Sequence, residues 1–252
     1  MKTPLRSALL GLLACTAAFF ARAAEPSATA TPSTGAGVIE IDSLDALRRY
    51  AAQDRVSVRL KPGTYRLDTA SSAHFIRFTG HDSRYDLRGV TLLIDTQLFQ
   101  PRYPRDGSEN FYCAINLVGD RIVLEGLATK NYGDLPRIQS RNKIINIAGS
   151  GVVLRDIDIT TSGSSPWGYG SLYGIGGGDV RKMNGIRVGW PAVGTKLLNG
   201  RVHMRAMGHG IFVQGAVDTL IEDCHVDGLL RPTNEILDEK SGYAFARGFK
   251  AI

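Results

Sequence analysis

The chain is poor in cysteine, in long apolar runs and in net charge, and each shortage excludes something. It has three cysteines in 252 residues, and Cys15 falls in the leader, so no disulfide framework staples the fold. The apolar run at 8–20 stops short of the ~20 residues that a helix needs to span a bilayer. Lys2 and Arg6 precede that run and Ala21-Arg22-Ala23 follows it. Residues 1–23 therefore read as a secretory signal with a small-x-small cleavage site. A secreted or periplasmic location is expected, with no transmembrane segment in the mature chain. Leu12-Leu13-Ala14-Cys15 is a rough lipobox, which makes lipid anchoring through Cys15 the lesser alternative. Leu13 is unusual there, and the run continues past the cysteine. Removing Lys2, Arg6 and Arg22 lowers the formal charge of +6 by three. What is left is a mild bias toward anionic partners and no case for nucleic acid.

Glycine is plentiful, with 29 residues, and much of it punctuates a repeat. Gly185-Ile186-Arg187-Val188 returns as Gly210-Ile211-Phe212-Val213, 25 positions later (211 − 186 = 25). The same strand is read at 74–80, 113–119, 143–149 and 242–248. A second strand closes on a sharp corner at Leu87-Arg88-Gly89, Leu124-Glu125-Gly126, Leu154-Arg155-Asp156, Leu198-Asn199-Gly200 and Ile221-Glu222-Asp223. Gly, Asn and Asp are the residues that tolerate such a corner. A third strand follows directly, as in Ile157-Asp158-Ile159 and Cys224-His225-Val226. Short strands recurring at this period mark a solenoid. The expectation is an all-β protein, a parallel β-helix of about six coils and three parallel sheets around one apolar core.

Residues 24–37, rich in Ala, Thr, Ser and Pro, are expected to be a disordered linker. The β-helix domain then spans 38–252. Ser43 reads as the N-cap of a short amphipathic helix with Leu44, Leu47 and Ala51 on one face, covering the N-terminal end of the core. Cys113 and Cys224 fall in phase with inward positions three coils apart. At ~4.8 Å per stacked strand they lie ~14 Å apart, too far for a disulfide. The last repeat stops partway into its second strand at Ile252, so a C-terminally truncated chain, a fragment, is expected.

Val58-Arg59-Leu60-Lys61-Pro62-Gly63-Thr64-Tyr65-Arg66-Leu67 resembles the opening strand of the pectate-lyase-like family, often written L-x-P-G-x-Y. With the repeat, the resemblance covers roughly residues 55–252. It implies a right-handed parallel β-helix and, because the architecture hosts many chemistries, leaves activity open. The R-x-P-x-x-R pattern of pectate lyases is absent; Arg231-Pro232 is all that remains of it. Gly208-His209-Gly210 superficially resembles the G-H-G of β-helical polygalacturonases, without the paired aspartates.

Insertions at 97–112, 130–142, 161–183 and 229–241 leave the coil at one corner, so they gather beside the first sheet as a groove. Trp167, Tyr169 and Tyr173 suit stacking on sugars, or simply pack the loops down, and Arg231 suits a carboxylate. Two-residue alternation stacks Arg77, Asn116, Asn146, Arg187 and Phe212 outward on the first sheet. Asn116 and Asn146 are substrate-binding candidates, or an asparagine ladder satisfying itself. In lyases of the resembled family an Arg or Lys commonly removes the proton α to a uronate carboxylate. Arg187 with Lys182 as the neighbouring cation, and His209 at the groove, are the catalytic candidates. A rival outward column on the third sheet, allowing a one-residue slip at Gly200, holds Asp158, His203 and His225 near Asp227. It suits a metal or acid–base work.

The function expected is that of a carbohydrate-active enzyme cleaving an acidic polysaccharide by β-elimination, calcium being a candidate cofactor. The alternatives are a glycoside hydrolase using two of Asp179, Glu235, Asp238 and Glu239, or a non-catalytic glycan-binding or adhesive surface protein.

Overall fold

A computed structural model describes residues 37–99, 111–132, 142–162, 182–206 and 208–228, with a few isolated positions after them. The first coil holds β1 (Ile39–Ile41), α1 (Leu44–Tyr50), β2 (Ser57–Leu60) and β3 (Gly63–Leu67). The second holds β4 (His74–Phe78) and β5 (Arg84–Asp95), and the third β6 (Cys113–Leu117) and β7 (Val123–Tyr132). Next come β8 (Lys143–Ile147), β9 (Val153–Arg155) and β10 (Asp158–Ser162), then β11 (Asn184–Gly189), β12 (Lys196–Leu198) and β13 (Arg201–Arg205). The last described coil is β14 (Ile211–Gln214), β15 (Leu220–Glu222) and β16 (His225–Gly228).

The paired strands run parallel and stack coil on coil, an arrangement compatible with a parallel β-helix. Apolar residues fill the inward positions because, away from the last described coil, each is covered on both sides by its counterparts in the neighbouring coils. Ile76, Ile115, Ile145, Ile186 and Ile211 stand in one stack, and Phe78, Leu117, Ile147, Val188 and Val213 in the next. Across the core, Tyr85, Leu124, Leu154, Leu197 and Ile221 form the facing stack.

The strands form two hydrogen-bonded sheets rather than the expected three: β4, β6, β8, β11 and β14 in one, the other eleven in the second. The larger sheet is continuous because β5 and β7 run through the corner without breaking. Gly89, Gly126, Asp156, Asn199 and Asp223 turn that corner, all with φ between 50° and 80°. The left-handed residue at the fourth of these positions is therefore Asn199 and not Gly200, which corrects the expected alignment by one. Leu197, not Leu198, pairs with Leu154 and Ile221, a spacing of 24 rather than 23 (221 − 197 = 24). Gly200 instead faces the core, its missing side chain leaving room for Ile157 and Cys224. In β5 the register shifts between Asp86 and Val90, so Leu87 and Arg88 are extra corner residues without counterparts in later coils.

The helix begins as expected, with the Ser43 side chain accepting from the Ala46 N–H. Its end takes the place of a strand. Thr79 and Gly80 donate to the Ala51 carbonyl just as Val118 and Gly119 donate to Phe78, and Ala148 and Gly149 to Leu117. Leu47 and Ala51 are fully buried in the core. Cys113 and Cys224 are free thiols, the first fully buried and the second half-buried. The further repeat expected at 242–248 lies outside the described residues.

Two polar columns line the outside of this core. On the larger sheet, Glu40, Arg59, Asp86, Glu125 and Arg155 are in register. The like-charged neighbours Asp86 and Glu125 are reconciled by Arg88, delivered by the extra corner residues, and by Arg84. Arg88 donates twice to Asp86, at 2.8 and 2.6 Å, and Arg84 reaches Glu125 at 2.8 Å. The second column is on the five-stranded sheet.

Candidate functional site

The five-stranded sheet aligns Arg77, Asn116, Asn146, Arg187 and Phe212 in one register. That is the column expected from two-residue alternation. Arg77 is exposed, Arg187 and Phe212 are half-buried, and both asparagines are fully buried. Buried amides need partners, and these find them along the column. Asn146 Nδ2 donates to Asn116 Oδ1 at 2.8 Å, and Arg187 Nη1 donates to Asn146 Oδ1 at 2.9 Å. Asn116 Nδ2 lies 3.1 Å from His74 Nδ1. The asparagines thus form a hydrogen-bonded ladder into which Arg187 donates.

A second register on the same sheet aligns His74, Cys113, Lys143 and Asn184 at the strand starts. His74 and Lys143 are each only 4% exposed, and sequence reasoning assigned neither a role. Phe111 gathers them. Lys143 Nζ stands 3.4 Å from the centre of the Phe111 ring, Arg187 Cζ 5.9 Å from it, and the His74 ring centre 5.2 Å from it. Two cations thereby approach one aromatic ring, a favourable arrangement for each. The signal was present in the sequence, since His74, Cys113 and Lys143 open successive first strands. Reading Cys113 as a core residue drew attention away from its neighbours in the column.

Lys182 is half-buried two residues ahead of β11. Arg187 donates to Asn146 and lies near Phe111, and Lys143 approaches the same ring. His209 is exposed; its backbone N–H donates to Asn184 Oδ1 at 2.9 Å and its ring lies 5.2 Å from Phe212. It therefore flanks the last described position of the column. Trp167, Tyr169, Tyr173 and Arg231 lie outside the described residues, as do Asp179, Glu235 and Glu239, while Asp238 is exposed.

The rival column on the larger sheet is rearranged by the Asn199 corner. Asp158 pairs with Arg201, which in turn pairs with His225, whereas His203 pairs with Thr160 and Asp227. His225 is thereby separated from the imidazole it was expected to join. His203 instead sits between two carboxylates: Nδ1 hydrogen-bonds Asp227, and Nε2 lies 3.4 Å from Asp158 Oδ1. Arg205 donates to Asp227 at 2.8 Å, and chiefly this bond holds that carboxyl below the usual carboxylate range. The cluster is an ion-paired strip on a half-exposed surface. Among the described residues, no group of three or more His, Cys, Asp or Glu is placed to hold a metal ion. Nor is any helix among them long and apolar enough to cross a membrane.

No protein-family model matches the chain, and no curated protein matches it.

Proposed function

We propose that the protein is a right-handed parallel β-helix of the pectate-lyase-like kind, secreted or periplasmic, that cleaves an acidic polysaccharide by β-elimination. One observation carries the reading: Lys143 and Arg187 meet on the Phe111 ring, and a buried amide ladder steadies the arginine. Elimination from a uronate needs two things from the protein. A cation must bind the carboxylate and stabilise the charge that builds up on it as the α-proton leaves. A base must take that proton while the glycosidic oxygen departs from the neighbouring carbon, leaving a carbon–carbon double bond.

A guanidinium clamps a carboxylate with two parallel hydrogen bonds and keeps its own proton. An ammonium among other cations, screened from water, gives its proton up far more readily. Arg187 is therefore assigned the carboxylate and Lys143 the proton, with Phe111 as the wall that shields the lysine from water. His209 and Phe212, at the last described position of the column, flank the polymer. Lys182 keeps a part as an added cation near the strand start, and the mild positive charge of the mature chain favours an anionic polymer.

The experiment is a screen of the protein on acidic and neutral polysaccharides, with and without calcium, following ultraviolet absorbance of unsaturated uronates. Absorbance rising on one acidic polymer supports the reading. Lys143→Ala then loses turnover while keeping affinity, and Arg187→Ala loses both. New reducing ends without absorbance point to hydrolysis. Retention on a glycan column with neither signal leaves a binding protein.

A further inference from the structure

We propose that His74, Asn116, Asn146 and Gly189 are positioning residues for Arg187, forming a one-way hydrogen-bond relay and a side-chain-free rest for its guanidinium. That Arg187 is the group worth fixing rests on the function proposed above; the relay itself does not.

The direction of the relay follows from what each group can donate. A guanidinium has donors only, so the atom that it meets on Asn146 at 2.9 Å is the carbonyl oxygen. The remaining amide atom of Asn146 is then its NH2, and its partner on Asn116 at 2.8 Å is the oxygen. That leaves the NH2 of Asn116 facing His74 Nδ1 at 3.1 Å. A donor requires an acceptor, so Nδ1 of His74 carries a lone pair and the ring proton sits on Nε2. If Nδ1 held a proton, both amides would have to turn over, and Asn146 would present its NH2 to Arg187, donor against donor. The state of an imidazole on β4 is thereby felt at a guanidinium on β11, across two intervening strands. Burial gives the relay its force. His74 and both asparagines have almost no exposed surface, so a misdirected donor has little access to water instead.

Gly189 supplies the other half. It lies two positions beyond Arg187 on the same face of β11. A Cβ built there would stand 2.1 Å from Arg187 Cζ and within 2.3 Å of both terminal nitrogens. The guanidinium therefore lies flat on the bare backbone of Gly189. Gly189 is not among the left-handed glycines, and the nearest atoms to that Cβ belong to the tip of a flexible side chain. Alanine there displaces the guanidinium without straining the fold.

The test is nitrogen NMR on the labelled full chain, with and without substitutions. The wild type is expected to show His74 protonated on Nε2 and bare on Nδ1, and resolved, slowly exchanging guanidinium signals for Arg187. Gly189→Ala should collapse those Arg187 signals to the solvent-averaged position at an unchanged thermal midpoint. His74→Leu should do the same, and His74→Gln, which offers an acceptor oxygen, should restore them. Where elimination is measurable, Gly189→Ala should lower kcat/KM on the order of 10²-fold, the scale of a ~1 Å misplacement. A proton on Nδ1, or Arg187 signals indifferent to Gly189→Ala, overturns the relay. Failure of every polysaccharide in the screen, with these NMR results intact, overturns the function and leaves the relay standing.

Discussion

The two outward polar columns occupy equivalent positions on stacked coils and solve different problems. Along the larger sheet, Glu40, Arg59, Asp86, Glu125, Arg84 and Arg88 carry both signs of charge, and the described carboxylates are met by guanidinium groups. Along the five-stranded sheet the column carries amides, and its neutral bonds lead to one half-buried arginine and an aromatic ring. A column that closes its charges on itself serves stability. A column whose described hydrogen bonds start from one cation serves the placement of that cation. The contrast explains why the amides are buried while the arginines of the ion-pair column, such as Arg59 and Arg88, remain 44% and 60% exposed.

The sharpest way to break this contrast is to remove Asp86, whose side chain is 10% exposed between two arginines. Asp86→Ala should cost about 2 kcal/mol in urea unfolding at neutral pH, from the loss of charged hydrogen bonds. It should leave the Arg187 NMR signals untouched. Asp86 also makes the ion-pair column acid-sensitive. Hydrogen bonds from Arg88, then Arg59, hold its carboxyl well below the usual range. A carboxyl depressed in the folded state contributes stability that is complete above its unfolded value, about 3.9, and lost as pH falls through the lower folded value. Stability should therefore decline below about pH 4, and the decline should be shallower in Asp86→Ala. A flat profile to pH 2 would refute the stabilising role.

Asn146→Leu removes both a donor and an acceptor from the neutral column and leaves Asn116 Oδ1 without its donor on Asn146. About 1–2 kcal/mol of stability should be lost, with the Arg187 signals collapsing as well. A loss of stability without any change at Arg187 would make the amides merely structural. The smallest effect belongs to Glu40→Gln. Glu40 is 62% exposed and meets Arg59 at 3.3 Å, so the change should stay within about 0.5 kcal/mol.

Legibility followed the period of the chain. The isoleucine stack and the column from Arg77 to Phe212 were readable to the residue, because alternation by two and a recurring glycine set their phase. The corner at Asn199 was misread by one position because Gly200, the more permissive residue, drew the assignment. A second left-handed column at the preceding turn, Arg55, Asp82, Arg121, Gly151, Gly194 and Asp218, was not read at all. Arginine carries no turn signature, and here neighbouring coils hold it in place: the Arg121 side chain donates to Asp82, and its backbone N–H donates to the Ser150 carbonyl. Phe111, which gathers His74, Lys143 and Arg187, precedes β6 in a stretch without periodicity, and nothing in its neighbours announces the contact.

The sequence by itself determined the parallel stacking, the inward stacks, the N-capped helix and the outward column, since each depends on local spacing and on which residues tolerate a bend. Tertiary structure alone decided which cation stands beside Arg187, which way the amides point and what His203 meets. Those outcomes depend on contacts between residues 24 (227 − 203 = 24) to 45 (203 − 158 = 45) positions apart in the chain, set by insertions of unequal length that no periodicity records.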